Sequence, residues 1–145
     1  MVKLTYNKPN LTIMDTKKFL FGTLAGGVTF FFLGYLVYGL ALMSFYSAHA
    51  GSATGVAKSM EEMGWGALIL GNFAYGALLT YIFLKWANIS TFASGASGGA
   101  VIGLLMGLSY DMTSFGTTNI MDLTAALTDV VVSSVMAAIV GGIIG

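Results

Sequence analysis

Residues 123–144 read LTAALTDVVVSSVMAAIVGGII, an unbroken apolar run with one charge, Asp129. A helix rises about 1.5 Å per residue and the hydrocarbon core of a bilayer is about 30 Å thick, so roughly 20 apolar residues cross it. Residues 123–144 have that length and that composition. Read outward from there, the chain holds three more such stretches, at about 19–45, 65–84 and 92–108. The first is long for a span and is expected to tilt or to project from the bilayer. The third is diluted by Gly and Ser in its first half. The sequence therefore predicts an all-α integral membrane bundle of four transmembrane helices. No linker is long enough to separate domains, so residues 1–145 form one domain with a polar tail at 1–18.

Composition agrees. The chain is 57% hydrophobic and 8% charged, against about 25% charged in a soluble domain, and its mean hydropathy is +0.85. A short soluble chain leaves too much surface in water to hide that much apolar area; lipid as the solvent removes the conflict. Net charge is zero and there is no Arg, so no nucleic-acid partner is expected. With no Cys, disulfides, thiolate metal sites and thiol nucleophiles are excluded. Gly is abundant at 20 residues while the single Pro, Pro9, lies outside the apolar runs, a pattern of close helix packing.

Lys17 and Lys18 precede the first stretch, and Ala48-His49-Ala50 has the small-x-small form of a cleavage site. A signal h-region spans about 7–15 residues, so the longer stretch here reads as an uncleaved helix. Lys3, Lys8, Lys17, Lys18 and Lys85 fall on one side of the four spans and Lys58 on the other. The positive-inside rule then puts both termini in the cytoplasm, with Trp65 and Trp86 as interfacial anchors of the second helix. The loops at about 46–64 and 109–122 face outward.

In the third span Gly95, Gly99, Gly103 and Gly107 recur every four residues, which stacks them on one helix face. The fourth carries a matching stripe through Ala125, Asp129, Ser133, Ala137, Gly141 and Gly145, and the first offers Gly22 and Gly26. Smooth faces of this kind let backbones approach closely. They serve either a homo-oligomer interface or sliding gate, or packing within one chain. The third helix, the least hydrophobic, is expected to be enclosed by the other three or by a second copy.

Asp129 lies six residues into its span. An ionisable group there is costly and faces the protein interior. Counted from the outer end, Tyr38 and Asn72 reach the same depth, so an intramembrane cluster of Asp129, Asn72 and Tyr38 is expected, with His49, Asp111, Tyr110, Asn119 and Asp122 at its outer mouth. Such a cluster is a pocket for a small solute, a proton or a cation, or it is a structural hydrogen-bond group. No metal site follows, because one His with scattered carboxylates is a poor zinc set. Ser47 and His49 lack the third group of a triad. The glycines lack the Gly-Lys-Ser/Thr of a phosphate loop, and no intramembrane His could hold a haem, so no cofactor is expected. Asp122 reads as the N-cap of the fourth helix. Met60 and Met63 read as an amphipathic turn, and Phe30, Phe31, Phe32 and Tyr35 as contacts to lipid or to a neighbouring subunit.

The runs Asp15-Thr-Lys-Lys-Phe19, Gly34-Tyr-Leu-Val-Tyr-Gly39, Gly51-Ser-Ala-Thr-Gly-Val56, Ala67-Leu-Ile-Leu-Gly-Asn72, Tyr81-Ile-Phe-Leu-Lys-Trp86 and Thr117-Thr-Asn-Ile-Met-Asp-Leu-Thr-Ala125 resemble a group of small bacterial membrane proteins, domain of unknown function 1761. The resemblance covers about residues 15–145. It implies four helices in a bacterial inner membrane, supplies no reaction or ligand, and implies a chain running a few residues beyond Gly145. The expectation is then a structural or accessory subunit packed in a homo-oligomer or a larger membrane complex. The alternative is a minimal oligomeric transporter or channel using the buried Asp129. An enzyme is disfavoured, because no nucleophile and base are paired.

Overall fold

The computed structural model describes residues 14–145; most of the polar tail, with Lys3, Lys8 and Pro9, lies outside them. Five α-helices follow: α1 Thr16–Gly34, α2 Met43–Ala48, α3 Trp65–Ile82, α4 Phe92–Thr117 and α5 Leu123–Ile144. A π-helical segment, Tyr35–Ala41, continues α1, and another, Phe83–Ala87, continues α3. Four segments are long and apolar enough to cross a membrane: Thr16–Ala41, Trp65–Ala87, Phe92–Thr117 and Leu123–Ile144. The described chain is all-helical and has the architecture of a multi-pass membrane protein.

Polar side chains cap the starts of α1, α4 and α5. Asp15 accepts from the Lys17 and Lys18 amides at 2.9 and 3.2 Å, Thr91 from Ser94 at 3.3 Å, and Asp122 from Ala125 at 2.8 Å. Each satisfies amides that the helix itself leaves without acceptors. The α3 segment ends at Asn88, in the left-handed region at φ 48°, where the Ile89 amide reaches back to the Phe83 carbonyl at 3.0 Å. The Asn88 amide reaches the same carbonyl, so a left-handed residue closes the π-helical turn by satisfying that carbonyl twice.

Two boundaries differ from the expected spans. The first stretch does not run on to Phe45 as one helix. The Leu42 amide bonds the Val37 carbonyl, five residues back, at 2.8 Å, and Leu42 leaves helical geometry at φ −110°, ψ 8°. The chain resumes as the separate turn α2. The third span is not over at Leu108 but continues to Thr117. Its polar end is helical because Asp111 turns inward, while the Thr117 and Thr118 hydroxyls donate to the Thr113 and Ser114 carbonyls at 2.7 Å each.

The helices pack as two close pairs, α1 with α3 and α4 with α5, joined chiefly through α5. Gly26 of α1 and Gly76 of α3 meet backbone to backbone, and a Cβ on Gly26 would lie 3.1 Å from the Gly76 Cα. In α4, Gly95, Gly99, Gly103 and Gly107 are all buried. A Cβ on Gly95 would collide with the Gly141 carbonyl oxygen, and one on Gly99 with that of Ala137. Gly145 lies beside Gly95, at 3.0 Å from its Cα by the same measure. The glycine ladder therefore packs α4 against α5 of the same chain. Ser134 donates to the Ala100 carbonyl at 2.9 Å across this seam. Phe30, Leu79, Phe83, Met136, Ala137 and Val140 form the core where α1, α3 and α5 converge.

Within one chain the third span is not enclosed by the other three, which corrects that half of the expectation. α5 holds the centre, with eight buried positions, whereas α4 packs mainly on α5 and exposes Val101, Leu105 and Tyr110. Its glycine face needs one partner, and α5 supplies it.

Candidate intramembrane carboxylate site

At the end of the bundle where α2 lies, the two small-residue stripes both run into an acid. Asp129 stands four residues before Ser133 on the α5 stripe. On α4 the four-residue register of Gly95, Gly99, Gly103 and Gly107 continues to Asp111. Asp111 is 1% exposed, and no amide or hydroxyl among the described residues donates to its carboxylate; the side chain it faces is a second acid, Asp129. Asp129 is the charged group that bears on it from the facing helix. A buried carboxyl that no amide or hydroxyl serves is rare in a folded interior, and rarer still in a membrane span.

Asp129 is better served. The Tyr46 hydroxyl donates to its Oδ1 at 2.7 Å, and Tyr38 is a second phenol beside it. The two tyrosine rings lie 5.5 Å apart at 43°. The break at Leu42 makes this possible, because it folds α2 back so that Tyr46 and Tyr38 address one carboxylate. Tyr46 lies outside the spans. Burial, then its hydrogen bond to Asp129, raises its phenol above the usual range, so it stays a neutral donor.

The structure brings some members of the expected cluster together and sets others apart. Tyr38 and Asp129 are together. Asn72 belongs elsewhere: its amide donates to the Leu68 carbonyl of its own helix at 2.7 Å, and it lines a cavity beside α1. Asp111 is not at the mouth but inside the helix pair. Tyr110 is 68% exposed on the outer surface of α4 and joins no cluster.

His49 and Asp122 form a separate contact. His49 Nδ1 lies 2.7 Å from Asp122 Oδ2, and the Asp122 amide donates to the His49 carbonyl at 3.1 Å. The Gly51 and Ala53 amides add bonds to Ile120 and Asn119 at 3.2 and 3.0 Å, so Asn119 contributes its backbone carbonyl here. Gly51 is required at this crossing, since a Cβ there would strike the Asn119 carbonyl oxygen. His49 is therefore paired, not merely solvated as a lone loop histidine would be. The Ala125 amide, then the His49 ring, lower the Asp122 carboxyl below its usual range. Among the described residues no three His, Cys, Asp or Glu side chains converge as a metal set would require.

Compared with family models, curated proteins and solved structures, the chain matches none of them. The likeness to domain of unknown function 1761 rests on short sequence runs alone.

Proposed function

We propose that the chain is a minimal transporter of the bacterial inner membrane, with both termini cytoplasmic, whose Asp111–Asp129 pair takes up and releases a proton or a small cation. One observation carries this reading: Asp111 is buried inside a span, no amide or hydroxyl donates to it, and the side chain it faces is a second acid, Asp129. An acid without partners costs stability wherever it is placed, and most of all in lipid. An exchangeable proton or cation gives that cost a use. Two neighbouring carboxylates resist double ionisation, so the pair holds one positive charge more readily than none. Tyr46 and Tyr38 hold Asp129 as the better-solvated member, leaving Asp111 as the group that changes state.

The test is flux in proteoliposomes of the purified chain, followed with an internal pH dye under an imposed potential. Flux by the native protein, lost in Asp111→Asn at equal incorporation, supports the reading. No flux at any pH would sink it.

A second reading is favoured by the outer face of α4, where Val101, Leu105 and Tyr110 stand exposed on a helix with one main neighbour. In that reading the chain is an accessory subunit, not an enzyme, and α4 packs on a second copy or on a larger complex. Stoichiometric co-purification in mild detergent distinguishes it from a freestanding transporter.

A further inference from the structure

Next to the carboxylates, a cavity of about 460 Å³ lies between α1, the start of α3 and the loop joining them. Ligand pockets run from about 300 to 1,000 Å³, so a small organic molecule fits. Phe31, Tyr35, Tyr38 and Trp65 give it aromatic walls, and Met60 and Met63 add thioethers from the loop. The π-helical course of Tyr35–Ala41 shapes one wall, and such departures from α geometry are frequent at functional sites.

A lipid chain would ask only for apolar walls, but this cavity also has a sign. Aromatic faces carry negative potential toward a bound cation. Tyr38 lines the cavity and faces Asp129 behind it, so a carboxyl group stands one ring away. In the roofing loop, Glu61 and Glu62 sit between the two lining methionines, with Lys58 before them. No basic residue lines the cavity itself. Asn72 supplies the polar side chain of an otherwise apolar and aromatic wall.

We infer that this cavity binds a lipophilic organic cation, a quaternary ammonium or phosphonium with an aromatic or alkyl body. Its connection to the carboxylate pair, through Tyr38, rests on the proposed function; its occupancy does not. A cation seated against Tyr38 bears electrostatically on the Asp111–Asp129 pair behind it, which links organic-cation binding to the charge that the pair holds.

The test is equilibrium dialysis of the full chain in nanodiscs of neutral phosphatidylcholine, with empty discs as the partition blank and tetraphenylphosphonium as the probe. Saturable binding of one phosphonium per chain is expected, at least tenfold tighter than neutral triphenylphosphine oxide. Asn72→Lys places a positive charge in the wall and should weaken binding tenfold or more. Tyr38→Leu, which removes an aromatic face without adding charge, should weaken it too. Both variants are compared at matched elution volume and helix content. No saturable binding above the blank overturns the inference. Equal binding of the neutral oxide overturns it as well, and identifies a groove for neutral lipophiles. Proton flux and phosphonium retention are separate readouts, so the loss of either leaves the other interpretable.

Discussion

Replacing Asp111 by Asn should make the protein more stable, which is the reverse of what a buried polar substitution usually does. Asp111 is 1% exposed and no amide or hydroxyl donates to it, so whenever it ionises beside Asp129 the native fold bears the desolvation of an unsatisfied group, about 1–3 kcal/mol or more. Asn keeps the shape, cannot ionise, and brings two N–H donors to a site whose electrostatic neighbour, Asp129, is an acceptor. A gain of about 1–3 kcal/mol is expected from relieving that penalty. For a chain of this size each kcal/mol moves the midpoint by roughly 2–4 °C, so Tm should rise by roughly 2–12 °C. Thermal unfolding in one detergent, followed by the fluorescence of Trp65 and Trp86, reads the shift. Proteoliposome flux, measured on the same preparation, should fall to background. More stability with less function is the signature of a residue kept for its chemistry. A lower Tm for Asp111→Asn would refute the reasoning, because it would mean that the native carboxylate is satisfied by a group that the amide cannot replace.

Three further perturbations test the frame around that residue. Gly103→Leu would drive a side chain into Ala137 Cβ and the Ser133 carbonyl, which already lie at 2.6 and 2.7 Å from an added Cβ; overpacking of this kind costs about 1–3 kcal/mol or more. Cross-linking between single cysteines introduced on the outer surfaces of α4 and α5 should lose its defined pattern, whereas an unchanged pattern would show that the seam is not tight. Tyr46→Phe removes the 2.7 Å donor to Asp129 and should lower stability by about 1–3 kcal/mol; a neutral result in thermal unfolding would mean that water or Tyr38 takes its place. Asp122→Asn tests the loop tether. Because the folded carboxyl lies below its usual value, its contribution is present above about pH 4 and is lost as pH falls through the folded value. The substitution should therefore speed hydrogen exchange at the Gly51 and Ala53 amides at pH 7, with the difference from the native protein closing toward pH 3.

The spans were legible because hydropathy is a local property. Residues 65–84 and 123–144 could be bounded with no knowledge of their neighbours, and they match Trp65–Ala87 and Leu123–Ile144 closely. Asp122 was legible as a cap for the same reason, since its partner amide is three residues away. Asp111 was misplaced because Ser109-Tyr110-Asp111 reads as the polar end of a span when residues are averaged along the chain. A signal was nevertheless present: Asp111 is the next step of the register that runs from Gly95 to Gly107. Following the stripe instead of the average would have kept the helix going and put a second acid on the packed face. Tyr46 carried no such signal, and His49 was legible only as one of several residues at the outer mouth. Their partners are 83 and 73 residues away, and they meet them because the chain breaks at Leu42, where no Pro marks a break.

The place of the acids at the end of the glycine stripes has a physical logic. Glycine and alanine faces let α4 and α5 approach until backbone meets backbone, with Gly99 beneath the Ala137 carbonyl and Gly95 beneath that of Gly141. Such a seam leaves no room for water. A carboxylate set at its end is stripped of solvent on the packed side by the closeness that holds the helices together, and Asp111 shows this in its 1% exposure. Widening the seam would solvate Asp111 and relieve it; the glycines prevent that. The same stripe thus has two effects through one property. It binds the helices by close contact, and it keeps the carboxylate next to Asp129 dry enough that adding or removing a single positive charge matters. A substitution deep in the seam, such as Gly103→Ala, should therefore alter the proton affinity of a carboxylate two turns away without touching it.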